Sequence, residues 1–215
     1  MSPLGAAALL AGAYVLGSIS FSYLLVRWVA GYDLRTLGSG NAGATNALRA
    51  AGKKTGIASL LLDFGKGAAA VAAARAAGAG AALSAGAAFA VVLGHVFPVF
   101  LGLRGGKGVA TAAGAMAVLA PPALALTVVL FVAVVAWKRY VSLGSLAATF
   151  ALPFLVLLCQ RLGWMEAEGN WPAAAAAGLA LLVFWKHRAN LRRLLAGEEL
   201  RLGGPPRQGT EGTSA

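Results

Sequence analysis

The chain has 215 residues, of which 59% are hydrophobic and only 12% are charged, and its formal net charge is +11. Soluble domains contain roughly 25% charged residues, so this composition excludes an ordinary soluble protein and predicts an all-α polytopic membrane protein. The basic residues flank apolar segments, so membrane orientation explains the positive charge and no nucleic-acid partner is expected.

The first apolar segment, residues 4–30, predicts a membrane helix whose N-terminus lies outside the cell. Its first basic residue is Arg27, near the far end of the segment. The positive-inside rule therefore places the following loop in the cytoplasm. Because no basic residue precedes the segment, it lacks the start of a cleaved signal peptide and is expected to be retained.

The loop at residues 38–49 is rich in glycine, hydroxyl and amide groups and contains no acidic side chain. Glycine lets a ligand approach the backbone amides closely, and the N-terminus of a following helix attracts anions. We interpret this loop as a phosphate-binding loop with Arg49 as its cation. The alternative interpretation is a flexible membrane loop.

A second apolar segment, residues 55–77, carries Asp63 and Lys66 three positions apart and therefore on one helical face. Ionisable groups inside a membrane are costly unless they are paired or face water. We expect the two side chains to form an ion pair, with a substrate contact as the alternative. A third apolar segment is predicted at residues 81–103.

A second polar block, residues 94–111, contains the cationic, glycine-rich turn at residues 104–108 just before a further helix. Its spacing differs from that of a Walker A loop, and no strand is predicted before it. His95 lies in the same block. Because imidazole titrates near neutrality, His95 could be a general base, or it could be a buried structural histidine.

The apolar run at residues 109–137 could form one helix kinked at Pro121 or two short helices that meet there. Each half is shorter than the ~20 residues that usually cross a bilayer, so two spans require tilt or local thinning. With two spans, the later basic segments lie inside and the acidic loop at residues 163–171 lies outside, as the positive-inside rule requires. We therefore predict about seven transmembrane helices, the last two at residues 143–162 and 172–185.

This topology predicts one membrane domain over residues 1–202, with polar loops and the C-terminus in the cytoplasm. Residues 203–215 are expected to form a disordered cytoplasmic tail, because they are rich in Gly, Pro, Thr and Ser.

Four polar segments meet on the cytoplasmic face in this topology: the phosphate-binding loop, the turn at residues 104–107, Ser142 and residues 187–190. They supply amides, hydroxyls and cations, without the cysteine or carboxylate cluster typical of a metal site. The acidic residues of this face, Glu199 among them, are expected outside the polar segments. We predict a metal-free site for polyanionic small substrates, beside apolar helices that accept a lipid chain.

Four segments resemble a known family in their order and spacing: the phosphate-binding loop, the block at residues 94–111, residues 139–143 and residues 186–195. It is the bacterial membrane acyl-phosphate:glycerol-3-phosphate acyltransferase family, and the resemblance spans about residues 14–199. It implies a seven-helix bundle in the bacterial inner membrane, with its active site in the cytoplasm. The implied reaction moves an acyl group from acyl phosphate to the primary hydroxyl of glycerol-3-phosphate, giving lysophosphatidic acid and inorganic phosphate. The implied partners are these substrates and membrane lipid, with no cofactor and no obligate protein partner.

The resemblance also implies the site residues. The expected catalytic residues are Ser39, Thr45, Asn46, His95, Lys107 and His187. The expected substrate-binding residues are Gly38, Gly40, Asn41, Gly43, Arg49, Arg104, Gly105, Gly106, Ser142, Arg188 and Asn190. Relatives commonly carry an acidic residue where this chain has Ala189, so no role for that carboxylate is carried over.

Acyl phosphate is an activated mixed anhydride, so the site needs no covalent nucleophile and must mainly hold two anions close together. Thr45 or Asn46 is a candidate donor to the carbonyl oxygen as it gains charge. The hydroxyl proton could pass to His95, to His187 or to a substrate phosphate. We favour the phosphate, because a cationic site lowers the pKa of histidine.

Three other functions fit the sequence less well. Acyl-CoA-dependent glycerolipid acyltransferases carry Asp five positions after a catalytic His, where this chain has Phe100 and Arg192. CDP-alcohol phosphotransferases need several aspartates for a metal, and these are absent from the sequence. An anion transporter is expected to hold its site near the bilayer midplane, whereas these polar segments are predicted on one face.

Overall fold

The computed structural model describes residues 1–166 and 168–204. Within these ranges the regular structure is entirely helical, as predicted. The helices are α1 (Pro3–Ser18), α2 (Phe21–Ala30), α3 (Ala44–Ala76), α4 (Ala81–Val96), α5 (Val109–Leu119), α6 (Pro121–Lys138), α7 (Val141–Arg161), α8 (Trp171–Lys186) and α9 (Arg188–Leu195). Two single-turn 3₁₀ segments lie at Leu34–Thr36 and Val99–Leu101. The expected disordered tail falls, from residue 205 onward, outside the described residues.

Five helical segments of the described chain are long and apolar enough to cross a membrane. They are Pro3–Ala30, Ala44–Ala76, Ala81–Leu101, Pro121–Lys138 and Val141–Arg161. Helices α5 and α8 are apolar but shorter, at 11 and 16 residues. The multi-pass membrane class is therefore confirmed, whereas the count of seven spans stays a prediction.

The first membrane segment is broken at Ile19 and Ser20, between α1 and α2. A break leaves backbone carbonyls without their helical partners, and α3 supplies a cation to them. Lys66 Nζ donates to the carbonyl oxygens of Gly17 at 3.0 Å and Ile19 at 2.6 Å. The same ammonium lies 2.9 Å from Asp63 Oδ1. The predicted Asp63–Lys66 ion pair is confirmed, and it stabilises the break.

Glycines let two pairs of helices pack with their backbones nearly touching. A side chain at Gly67 in α3 would lie 2.0 Å from the carbonyl oxygen of Thr111, and one at Gly114 in α5 would lie 1.8 Å from that of Phe64. Helices α1 and α4 approach each other in the same way. Small residues at such crossings are the usual means of helix association in membranes. Close backbone packing therefore joins α3 to α5 and α1 to α4.

Helix α3 bends sharply at Ala51 and Gly52. Gly52 has φ +82° and ψ 179°, a conformation that essentially only glycine adopts. The bend separates residues 44–49, which belong to the predicted phosphate-binding loop, from the membrane segment that follows. The bend therefore sets the direction of a site-forming segment.

The third membrane helix ends earlier than predicted, at Val96 rather than at residue 103. The cause is Pro98, since a proline disfavours helical conformation at the preceding residue and cannot donate a backbone hydrogen bond. His95 therefore lies in the last turn of α4, and not more than a turn inside the helix as the predicted boundary implied.

Candidate active site

A cavity of about 520 Å³ lies where the four predicted polar segments meet. Helices α3, α5, α6, α7 and α8 form most of its wall, and the segment after α9 closes part of its mouth. Eleven of the predicted site residues line it: Ser39, Asn41, Gly43, Thr45, Asn46, Arg49, His95, Lys107, Ser142, His187 and Asn190. The structure thus brings together residues that are as much as 151 positions apart, from Ser39 to Asn190.

Six predicted residues do not line the cavity: Gly38, Gly40, Arg104, Gly105, Gly106 and Arg188. Arg104 is exposed. Arg188 is also exposed and its guanidinium lies 4.6 Å from the ring centre of Trp185. The four glycines shape the backbone of the two polar turns. Their assignment to substrate binding stays a prediction.

Asn46 organises the phosphate-binding loop through three hydrogen bonds. Its Oδ1 accepts from the backbone N–H of Ser39 at 3.0 Å, and its Nδ2 donates to the carbonyls of Leu34 and Leu37 at 3.0 and 2.9 Å. Gly38 has φ +56°, and a side chain there would lie 2.4 Å from Asn46 Oδ1. Both amide hydrogens of Asn46 are therefore engaged with the loop. This leaves Thr45 as the freer candidate donor to a substrate carbonyl.

Lys107 projects from the second polar turn into the cavity, where its Nζ donates to Asn190 Oδ1. Burial lowers the pKa of Lys107 to about 8, while the carboxylate of Glu199 opposes this shift and the cations Arg193, Arg49 and Lys186 add to it. A buried ammonium among other cations is poorly compensated by the protein alone. An entering phosphate would relieve that imbalance.

His187 lies at the junction of α8 and α9 with its ring held in one orientation. Its Nδ1 lies 2.8 Å from the carbonyl oxygen of Val183, so Nδ1 carries the proton and Nε2 is an acceptor. Burial, together with the charge of Lys107, lowers the pKa of His187 to about 4. The imidazole is therefore neutral near pH 7, where it is suited to accepting a hydrogen bond from a substrate hydroxyl.

Glu199 lies inside the cationic site, so the expectation that the acidic residues lie outside the polar segments was wrong. Its Oε1 accepts from Ser142 Oγ at 2.8 Å and from Asn190 Nδ2 at 2.6 Å, and its Oε2 accepts from Arg193 Nε at 2.8 Å. Burial acts to raise the pKa of Glu199, but these hydrogen bonds together hold it below its ordinary value. Glu199 thus ties α7 to α9 at the mouth of the cavity.

Glu199 and Arg193 are the charged residues at the mouth of the cavity that the sequence prediction missed. Neither belongs to a recognisable spacing pattern, but there was a physical signal: several clustered cations need a counter-charge. Ala189, where relatives carry an acidic residue, is exposed. The Ala189 side chain itself does not line the cavity.

The deeper part of the cavity is apolar and opens sideways between α3 and α6. Leu61 of α3 and Val132 of α6 both line it, yet they are 62% and 56% exposed on the outer surface of the bundle. Farther in, the wall is formed by buried residues such as Leu152 and Leu179. One cavity thus joins a cationic end to an apolar groove that faces the surroundings of the helices.

Comparison with known proteins agrees with this arrangement. Residues 7–197 match the family model described as glycerol-3-phosphate acyltransferase. A glycerol-3-phosphate acyltransferase of Synechococcus sp. (strain CC9902) is 43% identical over 197 residues, which cover 91% of this chain and 94% of that protein. One of Pseudomonas aeruginosa (strain LESB58) is 46% identical over 188 residues, covering 87% and 94%.

Two solved structures of PlsY (YgiH), an integral membrane glycerol 3-phosphate acyltransferase, share the fold. The glycerol 3-phosphate form has a TM-score of 0.83 and 38% sequence identity, covering 93% of this chain and 96% of that one. The lysophosphatidic acid form has a TM-score of 0.80 and 36% identity, covering 92% and 95%. Because these matches span nearly the whole chain, including the segments that build the cavity, the chain belongs to the glycerol-3-phosphate acyltransferase family.

Proposed function

We propose that this protein transfers an acyl group from acyl phosphate to the primary hydroxyl of glycerol-3-phosphate, releasing lysophosphatidic acid and inorganic phosphate. The observation that carries the proposal is the single cavity with two chemically different ends. The cationic end suits the phosphates of both substrates. The apolar groove between α3 and α6 suits an acyl chain that remains in the membrane.

The cations and polar groups around Lys107 form the glycerol-3-phosphate side of the site. Arg49 and Lys107 supply charge to its phosphate, and Ser142 and His187 supply polar contacts. The loop around Asn41, Gly43 and Thr45 faces the same cavity and cradles the phosphate of the acyl donor. Two anions held side by side in this way bring the hydroxyl to the acyl carbon, and such positioning can supply much of the rate enhancement.

The reaction proceeds in one displacement. The hydroxyl oxygen attacks the acyl carbonyl carbon, and the bond from that carbon to the phosphate oxygen breaks, with its electron pair leaving on phosphate. The hydroxyl proton passes to a phosphate oxygen. A pKa of about 4 makes His187 a weak base, which supports the phosphate as the acceptor, while Thr45 donates to the developing oxyanion.

We further propose that the protein lies in the bacterial inner membrane with seven spans, its N-terminus outside and its cavity and C-terminus in the cytoplasm. The distribution of charge supports this orientation, because the cavity mouth is surrounded by basic residues and the loop at residues 163–171 carries acidic ones. Glycerol-3-phosphate, a small charged molecule, would then enter from the cytoplasm.

The test is an assay of the purified protein with acyl phosphate and glycerol-3-phosphate, following both phosphate release and lysolipid. We expect turnover that needs no divalent metal and that acyl-CoA does not support. Lys107→Met should lower kcat/KM by about 10- to 100-fold, the scale of a lost charged hydrogen bond, whereas Arg201→Ala, on the exposed segment after α9, should change it little. Lysolipid formed from acyl-CoA, or activity lost to a chelator and restored by magnesium, contradicts the proposal.

A further inference from the structure

A cluster of buried polar side chains lies inside the helix bundle, and two of its members, Asp63 and His95, also line the cavity, although the proposed reaction gives neither of them a step. Ser22 Oγ donates to Asp63 Oδ2 at 2.9 Å, Lys66 Nζ lies 2.9 Å from Asp63 Oδ1, and His95 Nδ1 lies 3.6 Å from the same oxygen. The side chains of Asp63 and Lys66 are each 1% exposed. Keeping charges at such depth is costly, so the cluster requires an explanation.

The cluster reaches the second polar turn through His95. The backbone N–H of Gly106 donates to the carbonyl oxygen of His95 at 3.1 Å, and that of Gly105 donates to Val96 at 3.2 Å. A side chain at Gly105 would lie 2.1 Å from the His95 carbonyl oxygen, and one at Gly106 would lie 2.1 Å from His95 Nε2. The turn is therefore pressed against both the backbone and the ring of His95.

Lys107 follows this turn directly. Its side chain meets Asn190 in the cavity, and the next residue, Gly108, packs on Val92 and Val96 of α4. A continuous series of contacts thus runs from the break between α1 and α2 through Asp63 and His95 to Lys107. The turn is the attachment that fixes the backbone of Lys107 on its N-terminal side, while Gly108 and the start of α5 fix it on the other.

The ring of His95 reaches the cavity wall but lies between two close neighbours. Nδ1 lies 3.6 Å from Asp63 Oδ1, and Nε2 lies so close to Gly106 that a side chain there would overlap it. We propose that Asp63 and His95 are positioning residues, which hold the Gly105–Gly106 turn so that Lys107 meets the phosphate of glycerol-3-phosphate. This inference rests on the proposed function and adds to it the device that sets the position of its main cation.

The test is a double-mutant cycle between His95→Ala and Lys107→Met, with KM for glycerol-3-phosphate and kcat measured separately. We expect His95→Ala to raise KM about 10-fold and to change kcat less than about threefold, since it loosens a binding group. In the Lys107→Met background the same change should have an effect of less than about twofold, because coupled residues are not additive.

Conservative variants keep the test informative if His95→Ala does not fold. His95→Asn places an amide donor near the position of Nδ1 and should restore most of the affinity, whereas His95→Gln should not. Asp63→Asn combined with Lys66→Met removes both buried charges together and should reproduce the rise in KM. Ser59→Ala is the matched control: it lies on α3 one turn before Asp63, is buried, and has no hydrogen-bond partner among the described residues.

Additive losses in the cycle overturn the proposal. So does a well-folded His95 variant with kcat reduced about a thousandfold and KM unchanged, which is the result expected of a general base. Wild-type protein without turnover from acyl phosphate contradicts the proposed function itself. Wild-type turnover combined with an additive cycle contradicts only the positioning role.

Discussion

Lys107 is a cation of the cavity whose charge depends strongly on its surroundings. Burial lowers its pKa to about 8, so a large part of the population is neutral at slightly alkaline pH. A bound phosphate dianion favours the charged form and would raise that pKa. We therefore expect binding of glycerol-3-phosphate to be coupled to uptake of a proton at Lys107.

This coupling predicts a pH dependence of substrate affinity. The pKa of Lys107 is about 8, so its amine becomes neutral as pH increases through this value. KM for glycerol-3-phosphate should therefore rise over the same pH range. The phosphate of the substrate stays a dianion in this range, because its own second pKa is about 6. Lys107→Arg, which remains charged, should have a flatter profile; the same alkaline rise in both proteins would show that another group is responsible.

Glu199 contributes stability only while it is ionised. Its pKa in the folded protein lies below the ordinary value of 4.5, so its contribution is complete above that pH and is lost as pH falls through the folded pKa. Glu199→Gln leaves Arg193 without its charged partner. We expect a loss of about 1–3 kcal/mol at pH 7, and a difference from wild type that shrinks in acid.

The measurement is thermal unfolding of both proteins in the same detergent over a series of pH values. Glu168→Gln is a matched control, because Glu168 pairs with Arg75 on an exposed surface and such pairs contribute about 0–1 kcal/mol. A pH-independent difference for Glu199→Gln would mean that its shape, and not its charge, holds the site together.

At the scale of single residues, the sequence was enough to point to Arg49, Lys107 and the glycine-rich turns, but not to Arg193. These patterns are local, and local patterns predict local conformation. The engagement of Asn46 with Leu34 and Leu37 was not predictable, and neither was the entry of Glu199 into the cavity, because both depend on where distant backbone segments lie after folding.

At the scale of helices, the bend of α3 sets the direction of the phosphate-binding segment at its N-terminal end. Gly52→Ala forces a side chain into a conformation essentially reserved for glycine and should cost about 1–3 kcal/mol of stability. The strain can also be relieved by straightening the helix, which would displace Arg49. We therefore expect a lower melting temperature together with a higher KM for glycerol-3-phosphate.

Gly65→Ala provides the control within the same helix. Gly65 is exposed, has no positive φ, and a side chain there would meet nothing within 4 Å. Alanine is favoured over glycine in a helix by roughly 0.5–1 kcal/mol, so this variant should be neutral or slightly more stable. Equal effects of the two substitutions would remove the special role of the bend.

At the scale of helices, hydrophobic runs predicted the positions of the membrane segments to within a few residues at most ends. The runs did not reveal the break at Ile19, because the cation that stabilises it comes from α3, 47 positions further along the chain. The early end of α4 could have been predicted from Pro98. An apolar run indicates which residues can lie in a membrane, but it does not indicate where a helix ends or breaks.

For the whole molecule, accessibility from the two sides of the membrane tests the seven-span orientation. Cys159 is buried and is the chain's single cysteine, so Cys159→Ala gives a background for introduced thiols. Gly80→Cys and Pro121→Cys lie at exposed positions and should react with an impermeant thiol reagent in intact cells. Lys54→Cys, also exposed, should react only after permeabilisation.

Pro121 is the informative position, because it marks the junction of α5 and α6. If residues 109–138 crossed the membrane as one helix, this position would lie within the bilayer and would react from neither side. Labelling of Gly80→Cys and Lys54→Cys from the same side would contradict the orientation altogether.

The gap between α3 and α6 has a consequence for how this enzyme would sense its substrates. A donor that enters through this gap arrives by diffusion within the plane of the membrane, while glycerol-3-phosphate arrives from water. The concentration of the donor is an amount per area of membrane, whereas that of glycerol-3-phosphate is an amount per volume of water. Diluting the membrane with inert lipid would therefore slow the reaction at low donor, although no concentration in the surrounding solution had changed.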